Sequence, residues 1–177
     1  MYAHAGGMRC NVVSDQGAQA TKNLYNSALA RGRWGMLWAK LTGRSRVLHS
    51  LEKVLHVCTV LSRSCSGRRM VAIAQIDGSE SRAADFDRNF NPLQDRTRDR
   101  WLNIAKARQR GRYLPPVMLI QVGEHYFVRD GHHRISVARA LGLDSIEATI
   151  EVWTVDKPLT KSSEFSLTRF GSITAGV

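Results

Sequence analysis

The residues with the most chemistry to offer stand together at Asp130-Gly131-His132-His133-Arg134. Before them, His125 to Arg129 reads as a strand. After them, Ile135, Ala138 and Leu141 recur at helical spacing, and Gly142 is a natural stop. The sequence thus predicts a strand, a tight glycine turn and a helix. The first turn of such a helix presents N–H groups with no intrahelical partner, and its dipole adds about half a positive charge there. Glycine lets a phosphate approach the backbone, two imidazoles and a guanidinium supply donors, and Arg134 can grip two oxygens at once. The same residues also describe a helix capped by Asp130 with histidines on the surface. Residue types alone leave the two readings level.

Elements must hold this turn in place. Pro115-Pro116 forces an extended lead into a strand over Val117–Val122, and Gly123-Glu124 turns it into the strand before Asp130, so the two form a hairpin. Ile146, Ala148, Ile150 and Val152 alternate inward along a further strand. Trp101, Ile104 and Ala105 place a helix over Thr97–Arg110 with a basic outer face. Earlier, Met70–Ile76 reads as a short strand, Asp77-Gly78-Ser79 as a turn, and Ser81–Asp95 as a loop anchored by Phe86, Phe90 and Leu93. Residues 1–22 show no pattern. Leu24, Ala28, Trp34, Leu37, Trp38 and Leu41 form a helical stripe over Asn23–Leu41, weakened at Gly32 and Gly35, and a short second helix runs to about Val57. Ser62 to Arg69 is small, polar and basic, the composition of a linker.

Residues 115–142 together with the strand that follows resemble the ParB/sulfiredoxin fold, in particular small ParB-like nuclease domain proteins. The resemblance spans roughly Met70 to Trp153. It implies an α+β fold, a small mixed sheet with flanking helices, preceded here by a basic helical extension. The implied division is 1–66 extension and linker, 67–155 ParB-like domain, and 156–177 flexible tail. In partition proteins of this kind a Gln-Pro-Arg loop and a Gly-Glu-Arg-Arg turn bind nucleotide phosphates. The matching positions are Glu80-Ser81-Arg82 and Gly131-His132-His133-Arg134, of which Arg82, Gly131 and Arg134 are retained. The resemblance therefore implies ATP or CTP with Mg²⁺ as ligands. Arg82, Gly131, His132, His133 and Arg134 would bind the phosphates. Asp130 and Glu80 would help hold the metal, and Glu80, Asp130 and His133 would serve any catalysis. Free-serine kinases of the superfamily place an acid in the region of Glu80, which keeps phosphoryl transfer among the expectations. Sulfiredoxins carry a cysteine where His132 stands, and an imidazole cannot form a sulfur–sulfur linkage, so sulfinic-acid reduction is excluded. Neither the further nucleotide motif nor the helix-turn-helix of partition proteins is visible.

Charge adds a partner. Of the net +11 in 177 residues, +9 falls in residues 1–70, where 11 Lys/Arg face only Asp15 and Glu52. A basic leader beside a balanced domain points to nucleic acid, with a protein partner or a second copy of the chain as other candidates, and anionic lipid as another electrostatic target. Trp34 and Trp38 on that leader suit core or partner packing, a base-stacking platform, or a membrane surface. Metal-dependent cleavage of DNA or RNA, with Asp77, Glu80 and Asp130 as carboxylates, and a non-enzymatic adaptor role are the alternatives to nucleotide binding. Cys10, Cys58 and Cys65 make no CxxC motif or disulfide framework. The longest uncharged stretch, Tyr113–Gly123, is 11 residues, well short of the roughly 20 that a spanning helix needs. With no secretory leader at the N-terminus, the expectation is a reduced, cytoplasmic, bacterial-style protein.

Overall fold

A computed structural model describes residues 9–157, with side chains from Gln16 onward. The chain is α+β, a six-stranded mixed sheet with flanking helices. Helix α1 (Arg9–Thr42) leads into β1 (His49–Ser50), α2 (Leu51–Leu55), β2 (Val60–Ala72) and β3 (Ile76–Ser79). Then come α3 (Arg98–Gln109), the hairpin β4 (Val117–Val122) and β5 (His125–Asp130), α4 (His132–Ala140) and β6 (Ser145–Val155). The strand order is β1-β3-β5-β4-β6-β2. The pairs β1–β3, β3–β5 and β4–β6 are parallel, while β4–β5 and β6–β2 are antiparallel.

The period-two alternation of the inner strands builds two cores. Val117, Leu119, Val128, Ala148 and Ile150 meet Ile135 and Ala138 of α4, together with Phe86 and Phe90 from the long loop. On the opposite face Ile120, Val122, Phe127 and Trp153 meet Leu51, Val54 and Cys58 around α2. A third cluster locks the outer helices together: Tyr25 and Leu29 of α1, Trp101, Leu102 and Ala105 of α3, and Val137 of α4. At about 25 cal/mol per Å², aromatic and aliphatic burial of this extent dominates the folding free energy.

Four expectations need correction. Ser62–Arg69 is no linker but the middle of β2, a strand pairing with β6 along its length. It is the sheet edge and is exposed almost throughout, so backbone bonds hold it and its side chains stay polar and basic, as on other edge strands. Residues 48–58, assigned to the extension, supply core side chains. Asp77-Gly78-Ser79 is not a turn but strand β3, buried between β1 and β5. Gly78 is needed there because a Cβ would lie 2.3 Å from the Phe127 ring. Finally, α1 begins at Arg9, inside the stretch read as unpatterned, and continues through Gly32 and Gly35 without a break. Its buried side is Thr21, Tyr25, Ala28, Gly32, Gly35 and Ala39, while Trp34, Leu37, Trp38 and Leu41 face outward. Gly32 is a contact point: a Cβ there would sit 2.7 Å from the Pro92 carbonyl oxygen. The expected tail at 156–177 falls almost wholly outside the described residues. Among the described residues no helix is long and apolar enough to cross a membrane.

Candidate functional site

Strand β5 delivers Arg129 and Asp130 to the sheet end, where Gly131 reverses the chain with φ of 102°. L-residues rarely adopt that backbone, and a Cβ would also approach Val117 Cγ1 to 2.6 Å. Gly131 O accepts the Ile135 N–H at 3.0 Å and so starts α4, but glycine offers no side chain to cap the first turn. The amides ahead of Ile135 therefore open the helix uncapped, as an anion site requires.

Both histidines are buried. His132 Nε2 lies 2.8 Å from Ser79 Oγ, which accepts the Arg82 N–H at 2.8 Å and the Ser81 N–H at 3.3 Å. With its lone pairs so used, the Ser79 hydroxyl proton points to His132 Nε2, leaving the imidazole neutral with its proton on Nδ1. The His132 ring stacks on Phe86 with centroids 5.9 Å apart. Ser79 thereby ties the loop bearing Arg82 to the first residue of α4. His133 packs edge-on against the same Phe86 ring at 5.2 Å and is only 4% exposed, yet neither ring nitrogen has a hydrogen-bond partner. Burial above all holds both imidazoles neutral, with pKa lowered to about 4. Arg82 adds to this at both, His133 at His132, and Arg100 at His133.

A concavity of about 230 Å³ opens here, lined by Ser81 and Arg82 from the loop, Arg100 and Ile104 from α3, Arg129 and Asp130 from β5, and the turn Gly131–Arg134. Arg100 was not singled out by the sequence; α3 brings it in. The neighbouring Trp101 is fully buried, and its Nε1–H donates to Ser136 Oγ of α4 at 2.9 Å, which fixes α3 against the site. The basic outer face of α3 was the only sequence signal for Arg100.

The remaining expected residues are placed differently from one another. Arg134 lines the concavity, but its guanidinium donates to the Pro115 and Pro116 carbonyls and to Asp130, the last at 2.6 Å. It clamps the lead into β4 instead of standing free for an oxyanion. Asp130 is thus neutralised by Arg134. Glu80 is held by Arg129 Nε at 3.2 Å and lines a separate depression with Leu51, His56 and Trp153. Arg129 also pairs with Glu151. Asp77 is buried against His125 Nδ1 at 3.1 Å. The loop and turn therefore bring together Arg82, Asp130, Gly131, His132, His133 and Arg134, but not Glu80. A protein-held Mg²⁺ does not fit this arrangement. Its two proposed carboxylates do not converge: each is engaged by a different arginine, and Asp130 lines the concavity while Glu80 lines the separate depression.

No protein-family model matches the chain, and no curated protein matches it. Among solved structures, sulfiredoxin from Arabidopsis thaliana is similar at 16% identity, covering 58% of this chain and 98% of that chain with a TM-score of 0.37.

Proposed function

We propose that the mouth of α4 binds the phosphate end of a nucleotide. The observation that carries this reading is His133. A buried imidazole with both nitrogens unpartnered is disfavoured by roughly 1–3 kcal/mol, and this one lies beside Arg82 and Arg100 at an uncapped helix start. An oxyanion there accepts from first-turn amides and from two guanidinium groups, and from the His133 N–H once that enclosed nitrogen turns toward the concavity, which offsets the donor's share of that penalty and neutralises the local positive charge. The concavity, at about 230 Å³, is smaller than the roughly 300 Å³ or more that encloses a whole drug-sized ligand. It suits the phosphates and leaves sugar and base toward solvent.

Binding is better supported than turnover. The one carboxylate lining the concavity, Asp130, is paired with Arg134, and Glu80 faces elsewhere. ATP or CTP would bring its own Mg²⁺ with the phosphates. If phosphoryl transfer follows, positioning and charge neutralisation by Arg82, Arg100 and the α4 amides would supply it. The nuclease reading draws less support, because Asp77, Glu80 and Asp130 are each held by a different basic side chain.

Calorimetric titration of the full chain with ATP and CTP, each with and without Mg²⁺, tests the proposal. Wild type is expected to bind, with Arg82→Ala and His133→Ala each weakening affinity by about 10-fold or more, the range of a lost hydrogen bond to a charged group. Glu80→Gln should change little. Absence of binding by wild type at millimolar nucleotide overturns the proposal.

A further inference from the structure

The outer side of α1 does a different job from its inner side. Trp34, Leu37, Trp38 and Leu41 are 64%, 51%, 62% and 79% exposed. At 3.6 residues per turn they share one arc, about 150° round the helix from the buried row of Tyr25, Ala28, Gly32 and Ala39, and they extend over about 10 Å. The other two tryptophans, Trp101 and Trp153, are 0% and 4% exposed, so these indoles alone are offered to an outside surface. Because α1 packs through Tyr25 and Leu29 against α3 and α4, and at Gly32 against the Pro92 carbonyl, the stripe is presented on a rigid support.

Charge selects the occupant. No acid occurs between Asp15 and Glu52, while Lys22, Arg31, Arg33, Lys40, Arg44 and Arg46 lie in that interval, the last turned inward to Asp87 at 3.6 Å. By helical geometry Arg31 flanks the stripe on one side, and Arg33 and Lys40 on the other. Arg33 also holds Asp95 at 2.7 Å, across the gap to the loop before α3. We infer that this stripe docks the protein onto an anionic lipid bilayer, the indoles and leucines entering the headgroup boundary and the flanking cations meeting acidic headgroups. Tryptophan and leucine opposite or beside Lys/Arg is the composition of helices that lie in that interface. A second copy laid on the same stripe would set Arg31, Arg33 and Lys40 against themselves. Single-stranded nucleic acid would use the two rings, but two interleaved leucines on a convex helix give bases nothing to stack on. An apolar strip of two turns is too small to anchor by itself, so attachment depends on acidic lipid and weakens with salt.

Flotation of the full chain with vesicles tests this directly, using phosphatidylcholine alone and phosphatidylcholine with about one-third phosphatidylserine at moderate salt. Wild type should float only with the acidic vesicles, and its tryptophan emission should shift to the blue. Trp34→Ser/Trp38→Ser, at exposed positions where the fold should persist by circular dichroism, should lose at least about 10-fold in partitioning, and Arg31→Gln or Lys40→Gln about 5-fold each. No flotation of wild type overturns the proposal, and so does undiminished flotation of the folded double variant. Two further results overturn it by reassigning the stripe: an oligonucleotide that quenches the indoles while vesicles do not, or a dimer in sedimentation that the double variant abolishes. Arg82→Ala should float like wild type, so this outcome is separable from nucleotide binding at α4.

Discussion

At the mouth of α4 polar groups are buried inside an apolar surround. His132 and His133 sit against Phe86, Ser79 distributes its hydrogen bonds over three neighbours, and Arg134 closes on two carbonyls and a carboxylate. Along the outer side of α1 the arrangement is inverted, with indoles and leucines in solvent and nothing polar enclosed. The first region is set by tertiary contacts, so changes to its buried members disturb the fold. The second is carried by a helix whose inner side already satisfies the fold, so its outer residues are free to serve something else. Stability should therefore respond to substitutions at one region and not at the other.

The largest contrast is expected between Gly131→Ala and Trp38→Ala. A side chain at 131 meets both a backbone conformation of φ 102° and a Val117 methyl at 2.6 Å. Strain and overpacking together should remove about 4 kcal/mol. Trp38 is 62% exposed, and its truncation should stay within about 0.5 kcal/mol. Urea denaturation of the two variants checks this. Equal losses would mean that α1 is held by its outer side after all.

Acid should separate the regions next. Both imidazoles have folded pKa lowered to about 4, against an unfolded value near 6.5, so the unfolded chain binds more protons between those limits. The stability they contribute is complete above about pH 6.5 and is lost as pH falls toward 4, by roughly 3 kcal/mol between pH 7 and 5. His133→Gln should flatten that slope without altering it above pH 7. The outer side of α1 has no histidine, and Trp34→Ser/Trp38→Ser should keep the wild-type slope. The measurement is the urea midpoint at a series of pH values.

How far the sequence disclosed each region follows from the same physics. The β4–β5 hairpin, α4 and β6 were legible because proline, a two-residue turn and alternation act locally. Gly131 and His133 were legible as a helix start because a glycine before a helix has few uses, whereas Arg82 was indicated only by the family resemblance. The engagement of Arg134 was not, since the Pro115 and Pro116 carbonyls reach it only through the folded hairpin. Arg100 was hidden for a similar reason, its place depending on how α3 packs on α4. In α1 apolar spacing revealed a helix but not which side it buries. The buried row includes Thr21, Gly32 and Gly35, which do not register as apolar, whereas Trp34 and Trp38 do. Strand β2 was missed up to Arg69, and only its end from Met70 was read as strand, because an edge exposed on both faces needs no apolar period at all.

The glycines of α1 offer the smallest test, and one in which identical substitutions should differ in sign. Gly17 lies in the helix with open space where a Cβ would stand, whereas at Gly32 the Pro92 carbonyl oxygen would be 2.7 Å away. Alanine is favoured over glycine inside a helix by about 0.5–1 kcal/mol, through the freedom that glycine loses on folding. Gly17→Ala should gain that much, since the helix is anchored just beyond it by Thr21, whose hydroxyl reaches Gln109 of α3 at 2.9 Å. Gly32→Ala has the same helical gain, but it must push a backbone segment away from α1 and should lose about 1–2 kcal/mol net. Thermal melts of the two variants decide the matter. A gain at both positions would show that α1 stands off the loop at Pro92 and that its inner side is not the face that holds it.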